Sequence, residues 1–211
     1  MTVEKRIKES ERLIDWLVRF VDDLEIPATD QARIAATCLI LAHQHHRAIV
    51  LTTGASYLGS AFALARIEFE AYIRGAWLHY CASHEDIEEF KRTDWLKKVE
   101  RLKADLETHE AFSEGGLSDI MRHNWKAMNS FTHTGIQQLV RHSTETHIEP
   151  DFSDEEIVGL LNLADSTALL AMMGVVDLSL GEPADREARA LRVLAGMRGF
   201  AEAASLDSDA P

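Results

Sequence analysis

The sequence predicts an all-α protein, an up-and-down bundle of six or seven helices, and three observations carry that expectation. Apolar residues recur at three- and four-residue spacings along several long stretches. Pro27, Pro150 and Pro183 fall between those stretches, none falls inside one, and Pro211 ends the chain. No alternating apolar and polar run bounded by turn residues marks a strand. A length of 211 residues suits one core. A single domain over residues 1–205 with a frayed tail at 206–211 is therefore expected.

The first helix runs from Val3 to about Leu24, where Ile7, Ile14, Leu17, Val21 and Leu24 form one stripe among charges, so it lies on the surface. The second, Asp30 to Thr53, has Thr29 or Asp30 as its N-cap and is apolar around most of its circumference, which places it centrally. Ser56 to Cys81 is rich in small residues, among them Ala61, Ala65, Gly75 and Ala76, which permit close approach of another helix. Ser83 caps a fourth, heavily charged helix from Glu85 to about Glu107 with a narrow seam of Phe90, Leu96, Val99, Leu102 and Leu106. Gly115 and Gly116 make a clear break before a fifth helix, Ser118 towards Arg141, with Met121, Trp125, Met128, Ile136 and Leu139 on one stripe. The NSFTHTG stretch in its middle is a poor helix former, and Gly135 permits a distortion there. Ser153 to Glu156 is a capping box that opens a sixth helix running to about Leu180. Gly181 and Pro183 separate it from a seventh ending near Ala204. Short connections favour antiparallel neighbours.

Composition narrows the function classes. With 35 acidic against 22 basic residues the net charge is −13, which repels phosphate backbones and anionic membrane surfaces. No run of four basic residues offsets this, so nucleic acid and membrane are disfavoured as partners. The two cysteines, Cys38 and Cys81, lie among apolar residues and fit a reducing, cytoplasmic setting. The N-terminal MTVEKRIKES is followed by no apolar secretory segment. Ala48 to Ala65 is uncharged for 18 residues, but its Thr, Ser, Tyr and Gly content fits a buried core segment better than a membrane span.

Three groups of polar residues stand out. His43 and His46 lie three apart on one face of the second helix, a spacing that could place two metal ligands. Two ligands do not make a site and no Glu-x-x-His pair occurs, so hydrogen-bonded interior histidines are the simpler expectation, with no metal and no cofactor. Arg66, Glu70 and Arg74 repeat at four-residue spacing on the small-residue helix. They form either a self-neutralising ladder, helped by Glu68, or one wall of a polar pocket that could grip a carboxylate or phosphate. His133 lies in the weak stretch, and Arg122, Lys126, Asn129 and His133 form what looks like a solvated stripe. His43, His46, Arg66, Glu70, Arg74 and His133 are thus the candidate pocket residues. No Gly-x-Ser-x-Gly elbow, Cys–His arrangement or glycine-rich phosphate loop is present.

The segments LILAHQHHRAIVLTTGASYLGSAFALARIEFEAYIRGAWLHYCAS and WKAMNSFTHTGIQQLVR, between Leu39 and Arg141, resemble bacterial helical families of unknown function. More distantly they resemble HEPN-type bundles, which include abortive-infection proteins and toxin ribonucleases. That resemblance implies a metal-independent ribonuclease whose arginine is followed four to six residues later by a histidine. Arg74 with His79, and Arg141 with His147, match the pattern. With 15 arginines and ten histidines, chance placement alone gives about two such matches, so the pairs are weak catalytic candidates. The favoured expectation is a non-catalytic helical module that binds a small ligand or a protein and self-associates as a homodimer through small-residue faces; the alternative is the HEPN-like ribonuclease.

Overall fold

The computed structural model describes residues 2–93, 97–144, 146–182, 185–189 and 191. Among them are eight α-helices, one 3-10 turn at Glu110–Phe112, and no strand. α1 spans Val3–Val21, α2 Asp30–Gly54 and α3 Leu58–Tyr80. α4 spans His84–Thr93, α5 Val99–Leu106, α6 Gly116–Thr132, α7 Ile136–Val140 and α8 Asp154–Leu178. A further helical segment covers residues 185–189. The expected end of a last helix near Ala204, and the tail from 206, lie outside the described residues.

Local chemistry explains most boundaries. The Thr29 hydroxyl accepts from the Ala32 N–H and starts α2, and Ser83 and Asp86 cap each other's backbone at the start of α4. At α8 the Ser153 hydroxyl accepts from the Glu156 N–H while the Glu156 carboxylate accepts from the Ser153 N–H. The helix count differs from six or seven because two expected helices are each replaced by two shorter ones. α4 and α5 occupy the fourth, and α6 and α7 the fifth. The second break has a clear cause. Thr134 adopts φ of 53°, and Gly135 folds onto Ser130, its N–H donating to the Ser130 carbonyl at 2.6 Å. A side chain at 135 would lie 2.6 Å from Ser130 Oγ, so only glycine fits. The expected stripe is thereby split, and Ile136 and Leu139 turn outward while Met128 stays buried.

α2, α3 and α8 form the centre. α2 and α3 are joined by a three-residue turn and make the most extensive contact in the fold, so they run antiparallel. α8 packs against both, and α1 lies across α8 and α2. α5 and α6 cover the opposite side of α3. α8 is long and apolar enough by length and composition to cross a membrane, but its apolar positions pack into this core.

Leu39, fully buried on α2, sits where the three central helices meet. A Cβ placed on Gly75 of α3 would come within 2.7 Å of Leu39 Cγ, and one on Gly174 of α8 within 3.0 Å of Leu39 Cδ1. The small residues of α3 thus serve packing inside the chain. Gly75→Ala is expected to destabilise by about 1–3 kcal/mol through overpacking, despite alanine's better helix propensity. Gly159→Ala, also within a helix but with nothing within 4 Å of the added methyl, should be neutral or stabilising. Urea unfolding midpoints of the two variants check the contrast, and equal effects would contradict it.

Candidate functional site

Four of the six expected pocket residues are linked where α3 meets the C-terminal end of α6. Arg66 Nε donates to Glu70 Oε1 at 2.7 Å, and Arg74 Nη2 donates to Glu70 Oε2 at 3.3 Å. Arg66 Nη1 lies 2.6 Å from His133 Nε2, which must accept, because a guanidinium has only donors. The Arg66 guanidinium also lies 5.0 Å from the centre of the Trp125 ring, a cation–π contact. The ladder expected within α3 therefore exists and extends to α6, and His133 belongs to it rather than to a purely solvated stripe. Two guanidiniums share one carboxylate, leaving a local positive excess on an acidic protein.

His43 and His46 are elsewhere, inside the bundle and 5.8 Å apart between ring centres. His46 Nε2 meets Asp165 Oδ1 of α8 at 2.7 Å. The other Asp165 oxygen accepts from Arg6 Nη2 at 2.5 Å and from Ser10 Oγ at 3.0 Å. Arg6 completes its bonding to Ser10 Oγ at 2.8 Å and Asn162 Oδ1 at 2.9 Å. Among the described residues no three His, Cys, Asp or Glu side chains gather where a metal ion could be held. Glu68 does not join the Arg66–Arg74 ladder; it points into the core, 1% exposed. Burial, and then the Asp165 carboxylate, hold its carboxyl well above the usual range. Burial, followed by the electrostatic influence of neighbouring His46 and Arg47, pulls His43 down to about 4.

One feature of the structure was not visible in the sequence. A cavity of about 540 Å³ lies between α3, α6, α7 and α8. Phe62, Met128, Phe131, Leu160 and Leu163 supply apolar wall. Ile136 and Val140 of α7 line it too, yet are 71% and 53% exposed, so they mark its open side. Asn124, Gln137, Arg141 and Glu156 are its polar lining. Arg141 Nε donates to Glu156 Oε1 at 2.8 Å. Partial burial pushes the Glu156 carboxyl up, but bonds from the Ser153 backbone and Arg141 outweigh it and hold it below the usual range.

The two Arg–His pairs are not assembled. Arg74 bonds Glu70, whereas His79 Nε2 lies 2.9 Å from Asp177 Oδ2 on α8. Arg141 bonds Glu156, and the exposed His147 lies against the Thr146 hydroxyl. Tyr80 OH donates to the same Asp177 oxygen at 2.8 Å, and this bonding, led by His79, keeps Asp177 below the usual carboxylate range.

Residues 39–194 match the model of a family of unknown function, DUF6988. The chain belongs to DUF6988. The match starts at Leu39, spans all of α3 to α8, and so contains the α3–α6 cluster, the 540 Å³ cavity and the interior groups of α2 and α8. Arg6 and Ser10 lie before the DUF6988 region. No curated protein and no solved structure matches the chain.

The buried carboxyl gives a signed pH test. Glu68 keeps its proton in the folded state where the unfolded chain has released it, so its contribution to stability falls as pH rises above about 4.5. Glu68→Gln is expected to be more stable than wild type near pH 8, with the gap closing below about 4.5. His43 acts with the opposite sign: its neutral buried ring lowers stability as pH falls from 6.5 towards about 4, and this loss should persist in the variant. Urea midpoints across that range read both effects, and a Glu68→Gln gap independent of pH would refute the assignment.

Proposed function

We propose that this DUF6988 chain is a non-catalytic binding module, and that its ligand is a compact, mainly apolar molecule with an uncharged polar group, held in the cavity between α3, α6, α7 and α8. The observation that carries the reading is the cavity itself, about 540 Å³, with Ile136 and Val140 left uncovered along its open side. That volume falls in the range of small-molecule sites, and its mixture of apolar wall and a few polar groups is their usual chemistry. A bound apolar body would remove Ile136 and Val140 from water, a gain that scales with the area covered.

The polar lining narrows the ligand class. Arg141 is already neutralised by Glu156, so a charged head group would have to displace one of them. Asn124 and Gln137 carry amides, which donate and accept, and suit a hydroxyl, amide or carbonyl. Among the described residues the lining holds no Ser, Cys, His or Lys, and its one carboxylate, Glu156, is engaged by Arg141 and the Ser153 backbone, which supports binding over catalysis. The residue pairs behind the ribonuclease alternative are engaged with separate carboxylates or lie apart, and no feature of the geometry favours it. Of the small residues behind the expectation of self-association, Gly75 and Ala76 are buried, Gly75 against Leu39 and Ala35 of α2.

Gly159 offers a clean test. It lines the cavity, and a Cβ there meets nothing within 4 Å. Gly159→Leu is therefore expected to fill the space without disturbing the fold. Wild type should bind an uncharged apolar fluorophore, N-phenyl-1-naphthylamine, with saturable enhancement, and Gly159→Leu should weaken binding by about tenfold or more, equivalent to roughly 1.4 kcal/mol, with its melting temperature unchanged or raised. Absence of saturable binding, or binding indifferent to Gly159→Leu, would overturn the reading.

A further inference from the structure

A second cavity, about 390 Å³, lies further along α3 and α8, closed on one side by the 3-10 turn and touching residues 186 and 187. It shares no lining residue with the first. Three aromatic residues, Tyr72, Tyr80 and Phe112, contribute to its wall, together with Met173 and other apolar groups of α8. Tyr80 and Phe112 meet edge to face with centroids 5.2 Å apart.

Asp177 gives this cavity its chemistry. One carboxylate oxygen, Oδ2, is fixed by two donors, His79 Nε2 at 2.9 Å and Tyr80 OH at 2.8 Å. The other oxygen, Oδ1, has no hydrogen bond among the described residues, and the side chain is 50% exposed. The carboxylate is thus oriented and still open to a donor. Arg186 also lines the cavity, but its Nη1 donates to the Asp177 backbone carbonyl at 3.0 Å rather than to the carboxylate. Glu187 adds a second acidic group, so the charged side chains of the lining sum to one negative charge.

We infer that this cavity is a second binding site, for a small organic amine with an apolar or aromatic body, its ammonium placed on Asp177 Oδ1 and against the ring faces of Tyr72, Tyr80 and Phe112. An oriented carboxylate makes a charge-assisted bond to an ammonium, and aromatic faces attract the same cation. One positive charge balances the lining, which a neutral molecule would leave unmatched and an anion would worsen. The net charge of −13 further raises the local concentration of cations.

Calorimetric titration of the full chain with 2-phenylethylammonium, 2-phenylethanol and 3-phenylpropionate tests the inference. The amine is expected to bind saturably, the alcohol about tenfold or more weaker, and the carboxylate not measurably. Asp177→Asn should weaken the amine by about tenfold or more. Because Asp177 also orients His79 and Tyr80, the exposed Glu187→Gln serves as a second variant and should weaken the amine severalfold with folding intact. Gly159→Leu, which closes the first cavity, should leave amine binding unchanged, separating this site from that one. The inference is overturned if the alcohol binds as tightly as the amine, if neither acidic variant weakens binding, if Gly159→Leu abolishes it, or if none of the three compounds binds.

Discussion

The contact of Leu39 with Gly75 and Gly174 fixes the arrangement on which the rest of the fold depends. Where two glycines face one leucine, three helix backbones approach closely, and their relative rotation is set by a single side chain. On α2 the stripe that carries Leu39 inward continues at His43 and His46, four and seven residues on. These histidines are therefore buried as a geometric consequence of placing Leu39. On α3 the rotation that turns Phe69, Ile73 and Trp77 into the core also carries Glu68 inward and leaves Arg66, Glu70 and Arg74 at the edge facing α6. Interior carboxyl and half-buried arginine ladder are two sides of one helix placed by one contact.

Of the interior polar groups that follow from that placement, His46 Nε2 is bonded, whereas both His43 ring nitrogens and Glu68 Oε1 have no hydrogen-bond partner among the described residues. Asp165 arrives on the buried face of α8 beside Leu161 and Ala168, and a lone ionised carboxylate there would be costly. Arg6 and Ser10 of α1, with His46, bond both of its oxygens. Such a pair adds little net stability over an apolar replacement, but losing one partner is expensive. Its structural effect here is directional. α1 has a narrow apolar stripe, with Leu13 and Leu17 deeply buried in its second half, and Arg6 and Ser10 fix the register of its first half on α8.

Elements with local causes were legible in the sequence. The caps at Thr29, Ser83 and Ser153, the weak stretch before Gly135 and the Arg66–Glu70–Arg74 spacing are all contained within a few residues of chain. Features made by several helices were not. Arg6 reads as one more charge on an amphipathic surface helix, and nothing near it in sequence announces a partner 159 residues away. Asp165 did leave a signal, the single charged residue in the stretch from Ile157 to Val176. Glu68 left a misleading one, since its nearness to Arg66 and Glu70 suggested membership of their ladder, while its two-residue offset from each, about 200° around the helix, sends it into the core. His133 looked solvated because the wheel of its own helix cannot show that Arg66 reaches it from α3.

The cavity under α7 illustrates the same limit, because it is a gap and no residue encodes a gap by itself. α6 stops at Thr132 because Thr134 turns left-handed and Gly135 folds onto Ser130. The five-residue α7 that follows is too short to be stable alone. At its start the Ser130 hydroxyl accepts from the Gln137 N–H, and just beyond its end Arg141 bonds Glu156 of α8, while the Arg141 carbonyl accepts from the Asp151 N–H. Tied at both ends, α7 spans α8 instead of collapsing onto it, and Gly159 below contributes no side chain to fill the space. The Arg141–Glu156 pair is then a strut as well as a neutral pair, since Glu156 is simultaneously held by the cap of α8. A ligand that broke the pair to satisfy its own charge would release the strut that keeps the cavity open, whereas an uncharged ligand leaves it standing; the geometry that creates the space is what restricts the chemistry of its occupant.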